Sequence, residues 1–142
     1  MAGLARFVEA QSRDYARVVA ELEHGSKRSH WIWYIFPQVA GLGQSETSQF
    51  YAISDLSEAR AYLAHPILGA RLDECTEIML DWLGKRSAAE ILGALDAMKF
   101  RSAMTLFEAA RGEARFGRAL DGFFDGERDD RTLQLLGTAP DP

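Results

Sequence analysis

Apolar positions in the first segment of the chain recur with the spacing of one helical face. They are Leu4, Phe7, Val8, Tyr15, Val18 and Leu22. This period predicts an amphipathic helix, and Gly25 is its predicted stop. A second stripe, in the middle of the chain, predicts another helix on the same grounds. Its members are Leu68, Leu72, Cys75, Met79 and Trp82.

Helix start signals place further elements between and after these stripes. Asp55 is followed by Glu58, and Ser87 by Glu90, at the spacing of a capping box. Pro66 stands at the position that proline favours, the first of a helix, with His65 before it as a predicted cap. Helical segments are also predicted over 96–112, 113–124 and 129–137.

No segment shows the alternation of a half-buried strand. In residues 31–36 every position is apolar, so a period of two cannot be told from one of 3.6. The sequence therefore predicts an all-α fold, a single compact domain of about six or seven helices. This domain is expected to span residues 1–142, with a loose tail over 138–142.

Composition narrows the class of protein. The chain has 142 residues and a formal net charge of -5, which argues against a general nucleic-acid binder because phosphate contacts need a basic surface. Charges interrupt the N-terminal segment, so no signal peptide is predicted. The longest aromatic-aliphatic run is far shorter than the ~20 residues of a membrane span. A cytoplasmic protein with no membrane contact is predicted, and its oligomeric state is left open.

Motifs for bound cofactors and metals are missing from the sequence. It has neither a Gly-x-x-x-x-Gly-Lys-Ser/Thr loop nor a Gly-x-Gly-x-x-Gly turn, and no cofactor is predicted. The histidines, His24, His30 and His65, show no metal-ligand spacing with one another or with Cys75, so no metal site is predicted. Cys75 is the single cysteine, which fits a reducing compartment, and its apolar stripe predicts a buried side chain.

The stretch KRSHWIWYIFPQ, residues 27–38, is the most unusual part of the chain. Four residues with hydrogen-bond donors precede a predicted short helix, an arrangement suited to an anion. They are Lys27, Arg28, Ser29 and His30. Trp31 and Trp33 could stack on a planar ligand, and Gln38 could form hydrogen bonds with a polar edge of that ligand. Gly41 and Gly43 make the segment that follows flexible. The alternative is that the aromatic side chains belong to the core.

Lys99 lies on the apolar side of its predicted helix, in line with Ala103 and Leu106. A lysine there is costly unless it is paired, reaches water or points into a pocket. Ser102 and Thr105 flank the same face, so KFRSAMT could offer an ammonium and two hydroxyls to an anionic ligand. A helix-edge lysine whose stem covers the core is an equally good interpretation.

Several stretches also match a known family in order along the chain. They are RFVEAQ, KRSHWIWYIFPQVAGLG, YAISDLSEARAYLAHPILGARL, KFRSAMTLF and DDRTLQLL. Together they resemble the bacterial domain-of-unknown-function family numbered 1810. The resemblance implies a single, mostly helical domain and no established reaction. Members often carry the label calpastatin-like, but calpain inhibitors of that kind are largely disordered, whereas the stripes of this chain predict a packed globule.

Three hypotheses of function follow. In the first, residues 27–45 and the Lys99 helix form a pocket for a small anionic, nucleotide-like ligand. The predicted ligand-binding residues are Lys27, Arg28, Ser29, His30, Trp31, Trp33, Gln38, Gly41, Gly43, Lys99, Ser102 and Thr105. His30 is the best candidate for an acid or base, since imidazoles exchange protons near neutral pH, but no catalytic residue is identified. In the second, aromatic residues of 31–36 form an exposed patch for a protein partner. In the third, that run is entirely core.

Overall fold

The structure is a computed structural model that describes residues 3–111 and 113–137. The predicted loose tail at 138–142 lies outside the described residues. Along the chain the helices are α1 (Ala5–Glu23), α2 (Ile32–Ile35), α3 (Glu46–Phe50), α4 (Leu56–Ala64), α5 (Leu68–Leu80), α6 (Ala88–Leu92), α7 (Ala94–Arg111), α8 (Ala114–Phe124) and α9 (Asp130–Leu136).

The all-α class is confirmed, but the predicted number of helices is too low. Nine helices and no strand occur in residues 3–111 and 113–137, against the six or seven expected. Helices α2, α3 and α6 have only four or five residues. So short a segment spans little more than one turn and cannot show a helical period.

Helix α7 is the centre of the packing. It contacts α2, α4, α6, α8 and α9, and Phe100, Met104 and Phe107 on it are fully buried. Phe100 packs edge-on against Phe36, with 4.7 Å between ring centroids. The segment that follows α2 is therefore anchored on the helix at the centre of the packing.

The stripe predicted on α5 lies in the core. Leu68, Leu72, Cys75 and Met79 are all buried. Trp82, just past the end of α5, is only partly buried, and its indole Nε1 donates to the carbonyl of Leu22 at 2.9 Å. This bond joins the end of α5 to the end of α1.

The predicted caps are present with two differences. Pro66 is not the first residue of α5, which begins at Leu68, and one of the two capping boxes is incomplete. Ser87 and Glu90 form the full reciprocal capping box of α6. Asp55 accepts from the N–H of Glu58 at 2.9 Å, while the Glu58 carboxylate accepts from Ser54 rather than from the cap residue itself. His65 Nδ1 accepts from the N–H of Leu68 at 3.3 Å, so this histidine caps the start of α5.

Gly69 marks the closest approach between α4 and α5. A Cβ atom at this position would lie 2.2 Å from the carbonyl oxygen of Leu63, which is main chain and cannot turn away. Gly117 on α8 is also crowded, but there a Cβ would lie 2.8 Å from Oε2 of Glu108, the end of a flexible side chain. The two glycines form a matched pair for testing the tight crossing.

Gly69→Ala is expected to lower the free energy of unfolding by about 2–3 kcal/mol, because overpacking forces main chain apart. Gly117→Ala should change it by less than about 1 kcal/mol, since alanine also favours the helix. Urea unfolding of both variants checks this. Equal effects of the two substitutions would contradict the tight crossing at Gly69.

Candidate functional site

Glu21, near the end of α1, holds the loop that precedes α2. One carboxylate oxygen accepts from the N–H of Arg28 at 2.8 Å, the N–H of Ser29 at 3.0 Å and the indole Nε1 of Trp31 at 2.8 Å. The other oxygen accepts from the Ser29 hydroxyl at 2.7 Å. A single side chain therefore fixes the path of the loop through Arg28, Ser29 and Trp31.

These bonds set the charge of Glu21. Burial alone would raise the pKa of the carboxyl, but the donors of Arg28, Ser29 and Trp31 lower the pKa to about 2. Hydrogen bonds to an ionised carboxylate favour the charged form. Glu21 is thus ionised throughout the physiological range of pH.

Lys27 is buried and fully engaged, although its sequence position predicted a ligand contact. Its side chain is 7% exposed, and its Nζ lies 2.8 Å from Oδ2 of Asp96 in the first turn of α7. The same ammonium donates to the carbonyl of Ser29 at 2.5 Å and lies 5.1 Å from the ring centroid of Trp31. Lys27 therefore joins the loop to α7.

Lys99 is brought to the same aspartate. Its Nζ lies 3.5 Å from Oδ1 of Asp96, one helical turn earlier, and 5.2 Å from the ring centroid of Trp33. The two lysines of the predicted ligand site thus share one carboxylate. Because one negative charge faces two positive ones, this cluster keeps a net positive charge.

A groove of about 470 Å³ opens beside this cluster, and we call it the groove throughout. One wall is the loop Lys27–His30, and the other is the junction of α6 and α7, Leu92–Asp96. The main-chain N–H of Lys27 donates to the carbonyl of Ile91 at 2.7 Å, which holds the two walls together. Lys27, Arg28, Ser29 and His30 of the predicted site therefore line one groove, whereas the predicted residues Trp31, Trp33 and Lys99 are not among its lining residues.

The groove combines exposed cationic and apolar groups. Arg28 and His30 are exposed on the loop wall, and neither side chain forms a hydrogen bond or ion pair within residues 3–111 and 113–137. Leu95 on the opposite wall is 80% exposed. The first N–H groups of α7 have no intrahelical partner, and Gly93 before them has no side chain with which to cap them.

The aromatic run 31–36 belongs mainly to the core. Trp31 and Phe36 are 0% exposed and Tyr34 is 8% exposed. Trp33 is the aromatic residue of this run that stays partly accessible, and its Nε1 has no hydrogen-bond partner in the described part of the chain. This burial resolves whether the segment is core or site wall: of its aromatic rings, only that of Trp33 reaches the surface.

Other predicted site residues do not line the groove. The carbonyl of Gln38 accepts from Ile53 at 2.8 Å in the isolated bridge between Val39 and Ile53. Gly41 has a φ of +105°, and a Cβ there would lie 3.1 Å from Leu135 of α9. A Cβ on Gly43 would lie 2.3 Å from the Ser48 side chain. Close packing therefore accounts for both glycines.

The hydroxyls of Ser102 and Thr105 bind the start of α9. Ser102 Oγ lies 3.1 Å from Oδ2 of Asp129, and Thr105 Oγ1 accepts from the N–H of Asp129 at 3.0 Å. Asp129 in turn caps α9 by accepting from the N–H of Thr132 at 3.2 Å. The two hydroxyls that were predicted to bind a ligand thus hold α9 against α7 by hydrogen bonds.

Two residues central to this region were missed in the sequence, Glu21 and Asp96. Asp96 stands three residues before Lys99, a spacing that places both on one helix face, so this pair could have been found. Glu21 lies on the polar side of α1, and its partners lie in an irregular loop. No periodicity connects a helix to such a loop.

Replacing Glu21 by glutamine is expected to lower the free energy of unfolding at pH 7 by about 2 kcal/mol, because an amide cannot satisfy the donors of the loop as a carboxylate does. The folded-state pKa lies below the ordinary 4.5. The difference between wild type and variant should therefore be constant above about pH 5 and shrink as the pH falls towards 3.

Urea unfolding between pH 3 and pH 7 measures this difference. Glu23→Gln is the matched control, because Glu23 is exposed at the end of the same helix. A Glu21→Gln variant as stable as Glu23→Gln at pH 7, or a deficit that does not change with pH, would contradict the role of Glu21.

Asp96→Asn is expected to cost about 2–3 kcal/mol of stability, because it leaves the buried ammonium of Lys27 without its counter-ion. Adding Lys27→Met should recover part of the loss, since the unpaired charge is removed while the stem still covers Trp31. Thermal and urea unfolding of the two single variants and the double variant form a cycle. If the stability changes of the two single variants simply add in the double variant, Lys27 and Asp96 are not coupled.

No cluster of three or more His, Cys, Asp or Glu side chains that could hold a metal ion was found in residues 3–111 and 113–137. Over the same residues, none of the helices has the length and apolar character that crossing a membrane requires.

Comparison with known proteins identifies the family. The crystal structure of the conserved hypothetical protein Rv1873 from Mycobacterium tuberculosis is similar, with a TM-score of 0.92 and 46% sequence identity over 95% of this chain and 96% of that chain. Among curated proteins, none matches. The family model described as protein of unknown function (DUF1810) matches residues 1–136. The chain therefore belongs to the DUF1810 family.

Proposed function

We propose that the groove binds a small anionic, nucleotide-like ligand. The observation that carries this proposal is the convergence of Arg28 and His30, both exposed, on a cavity of about 470 Å³. That volume lies within the usual range of small-molecule sites, roughly 300–1,000 Å³, and the groove is widely open to solvent. Ser29 completes the polar wall. The proposed binding residues are thus a narrower set than the sequence predicted.

Local charge supports an anion. The protein as a whole carries a formal charge of -5, yet beside the groove the ammonium groups of Lys27 and Lys99 share one carboxylate, that of Asp96. Arg28 adds a further positive charge at the rim. Positive potential confined to a concave site on an acidic protein raises the local concentration of anions there.

Rigidity of the cationic wall supports binding as well. Glu21 fixes the main chain of Arg28 and Ser29, and the bond from Lys27 to Ile91 ties that loop to the facing wall. A preorganised wall loses little conformational entropy when a ligand binds. The guanidinium of Arg28 can bind phosphate through two parallel hydrogen bonds.

The apolar wall favours a ligand with a body beyond its charged group. Leu95 is 80% exposed and lines the groove. Ala94 beside it is also exposed. Covering such apolar surface contributes roughly 25 cal/mol per Å², so a base or another planar group opposite Arg28 would gain affinity there. This is the basis for the nucleotide-like class.

Burial disfavours the alternative of a protein-interaction patch over 31–36, because only Trp33 of that aromatic run is partly accessible.

The buried thiol of Cys75, whose pKa burial raises to about 12, would be unreactive. A single buried free thiol supports the proposed cytoplasmic location.

A thermal-shift panel of inorganic phosphate, pyrophosphate, AMP and ADP tests the proposal. A ligand at 100 times its dissociation constant should stabilise the protein by about 2.7 kcal/mol. Arg28→Gln should abolish the shift, because it removes the positively charged guanidinium group from the groove. Arg17→Gln is the control, since Arg17 is exposed on α1 and its ion pair with Asp14 is long, at 3.8 Å. No shift with any compound, or an equal shift in Arg28→Gln, would refute the proposal.

A further inference from the structure

A second cavity of about 590 Å³ is also lined by Arg28, and we call it the cleft. Its lining residues are Ala20, Glu21, His24, Ser26, Arg28 and Arg86. Arg28 is thus the residue that the linings of the groove and the cleft share. Two cavities that meet at one exposed arginine can hold two parts of a single ligand.

Arg86 is held in place before any ligand arrives. Its NH1 donates to the carbonyl of Gly25 at 3.2 Å, and its guanidinium lies 5.5 Å from the ring centroid of Trp82. Gly25 has a φ of +67°, and a Cβ there would lie 2.7 Å from Cζ2 of Trp82. Only glycine permits this close approach, which sets the carbonyl that holds Arg86. A guanidinium has five N–H donors, so most of them stay available.

The negative groups of the cleft are already engaged. Both oxygens of Glu21 accept hydrogen bonds from the loop. The carbonyl of Ala20, at the end of α1, accepts from the main-chain N–H of His24 at 3.0 Å and contacts its ring Nδ1 at 2.8 Å. One ionised carboxylate therefore stands against two arginines, Arg28 and Arg86. The balance of charge favours an anion, though less strongly than in the groove.

We infer that the ligand carries two linked phosphoryl groups that straddle Arg28, one in the groove and one in the cleft beside Arg86. This inference rests on the proposed function, which supplies the first of the two groups. The planar guanidinium of Arg28 presents donors on more than one edge, so it can contact both groups at once. The ligand class is then a diphosphate, such as the diphosphate of a nucleotide.

Calorimetric titration with pyrophosphate and with inorganic phosphate tests the inference. Wild-type protein should bind pyrophosphate at least about tenfold more tightly than phosphate, a difference of about 1.4 kcal/mol. Arg86→Gln should remove most of that advantage while changing the phosphate affinity by less than about twofold, because phosphate alone prefers the groove. Arg86→Lys, which keeps the charge, should restore part of it.

The outcomes separate this inference from the function on which it rests. If phosphate and pyrophosphate bind equally, or if Arg86→Gln keeps the full advantage of pyrophosphate, the cleft takes no second phosphoryl group and the groove alone is the site. If neither compound binds, the proposed function fails and this inference fails with it. Should Arg86→Gln prove unstable in thermal unfolding, two-dimensional NMR of the ¹⁵N-labelled wild-type protein replaces it. Pyrophosphate, but not phosphate, should then shift the amide signals of Ser26 and Arg86, which line the cleft, and unchanged signals at both residues would overturn the inference.

Discussion

Glu21 reaches from the end of α1 to donors on Arg28, Ser29 and Trp31, and this contact fixes where the wall of the groove runs. Main-chain N–H groups of an irregular loop need partners, because an unpaired buried donor costs about 1–3 kcal/mol. Here one carboxylate supplies them. The loop can then bury Trp31 and still leave Arg28 at the surface.

The charges beside the groove depend on a second shared carboxylate, that of Asp96. Lys27 is nearly inaccessible and Lys99 is partly exposed, yet both ammonium groups lie within 4 Å of Asp96. Each also lies over an indole ring. Burying a lone ammonium would be prohibitive, whereas a paired one can be held at a wall. The arrangement leaves positive charge next to the groove without an unpaired ion in the core.

The sequence predicted the long elements well, because helices such as α1 and α5 carry clear apolar stripes that the core requires. It also placed Arg28, Ser29 and His30 in one candidate site, where they line one groove. For other residues the local sequence pattern could not show whether the side chain would bind a ligand or stabilise the fold. In the sequence Ser102 and Thr105 are reasonable ligand donors. In the structure α9 packs on α7, and the hydroxyls of both residues form hydrogen bonds with Asp129. Contacts between segments far apart in the chain leave no periodicity to detect.

Anion binding in the groove can be tested most directly by two-dimensional NMR of the ¹⁵N-labelled protein titrated with inorganic phosphate. The amide N–H groups of Ala94 and Leu95, at the open start of α7, should show the largest shift changes, together with those of Arg28 and His30. Arg28→Gln should suppress these changes. Saturable shifts confined to other parts of the chain, or no saturable shift at the start of α7, would contradict an anion site in the groove.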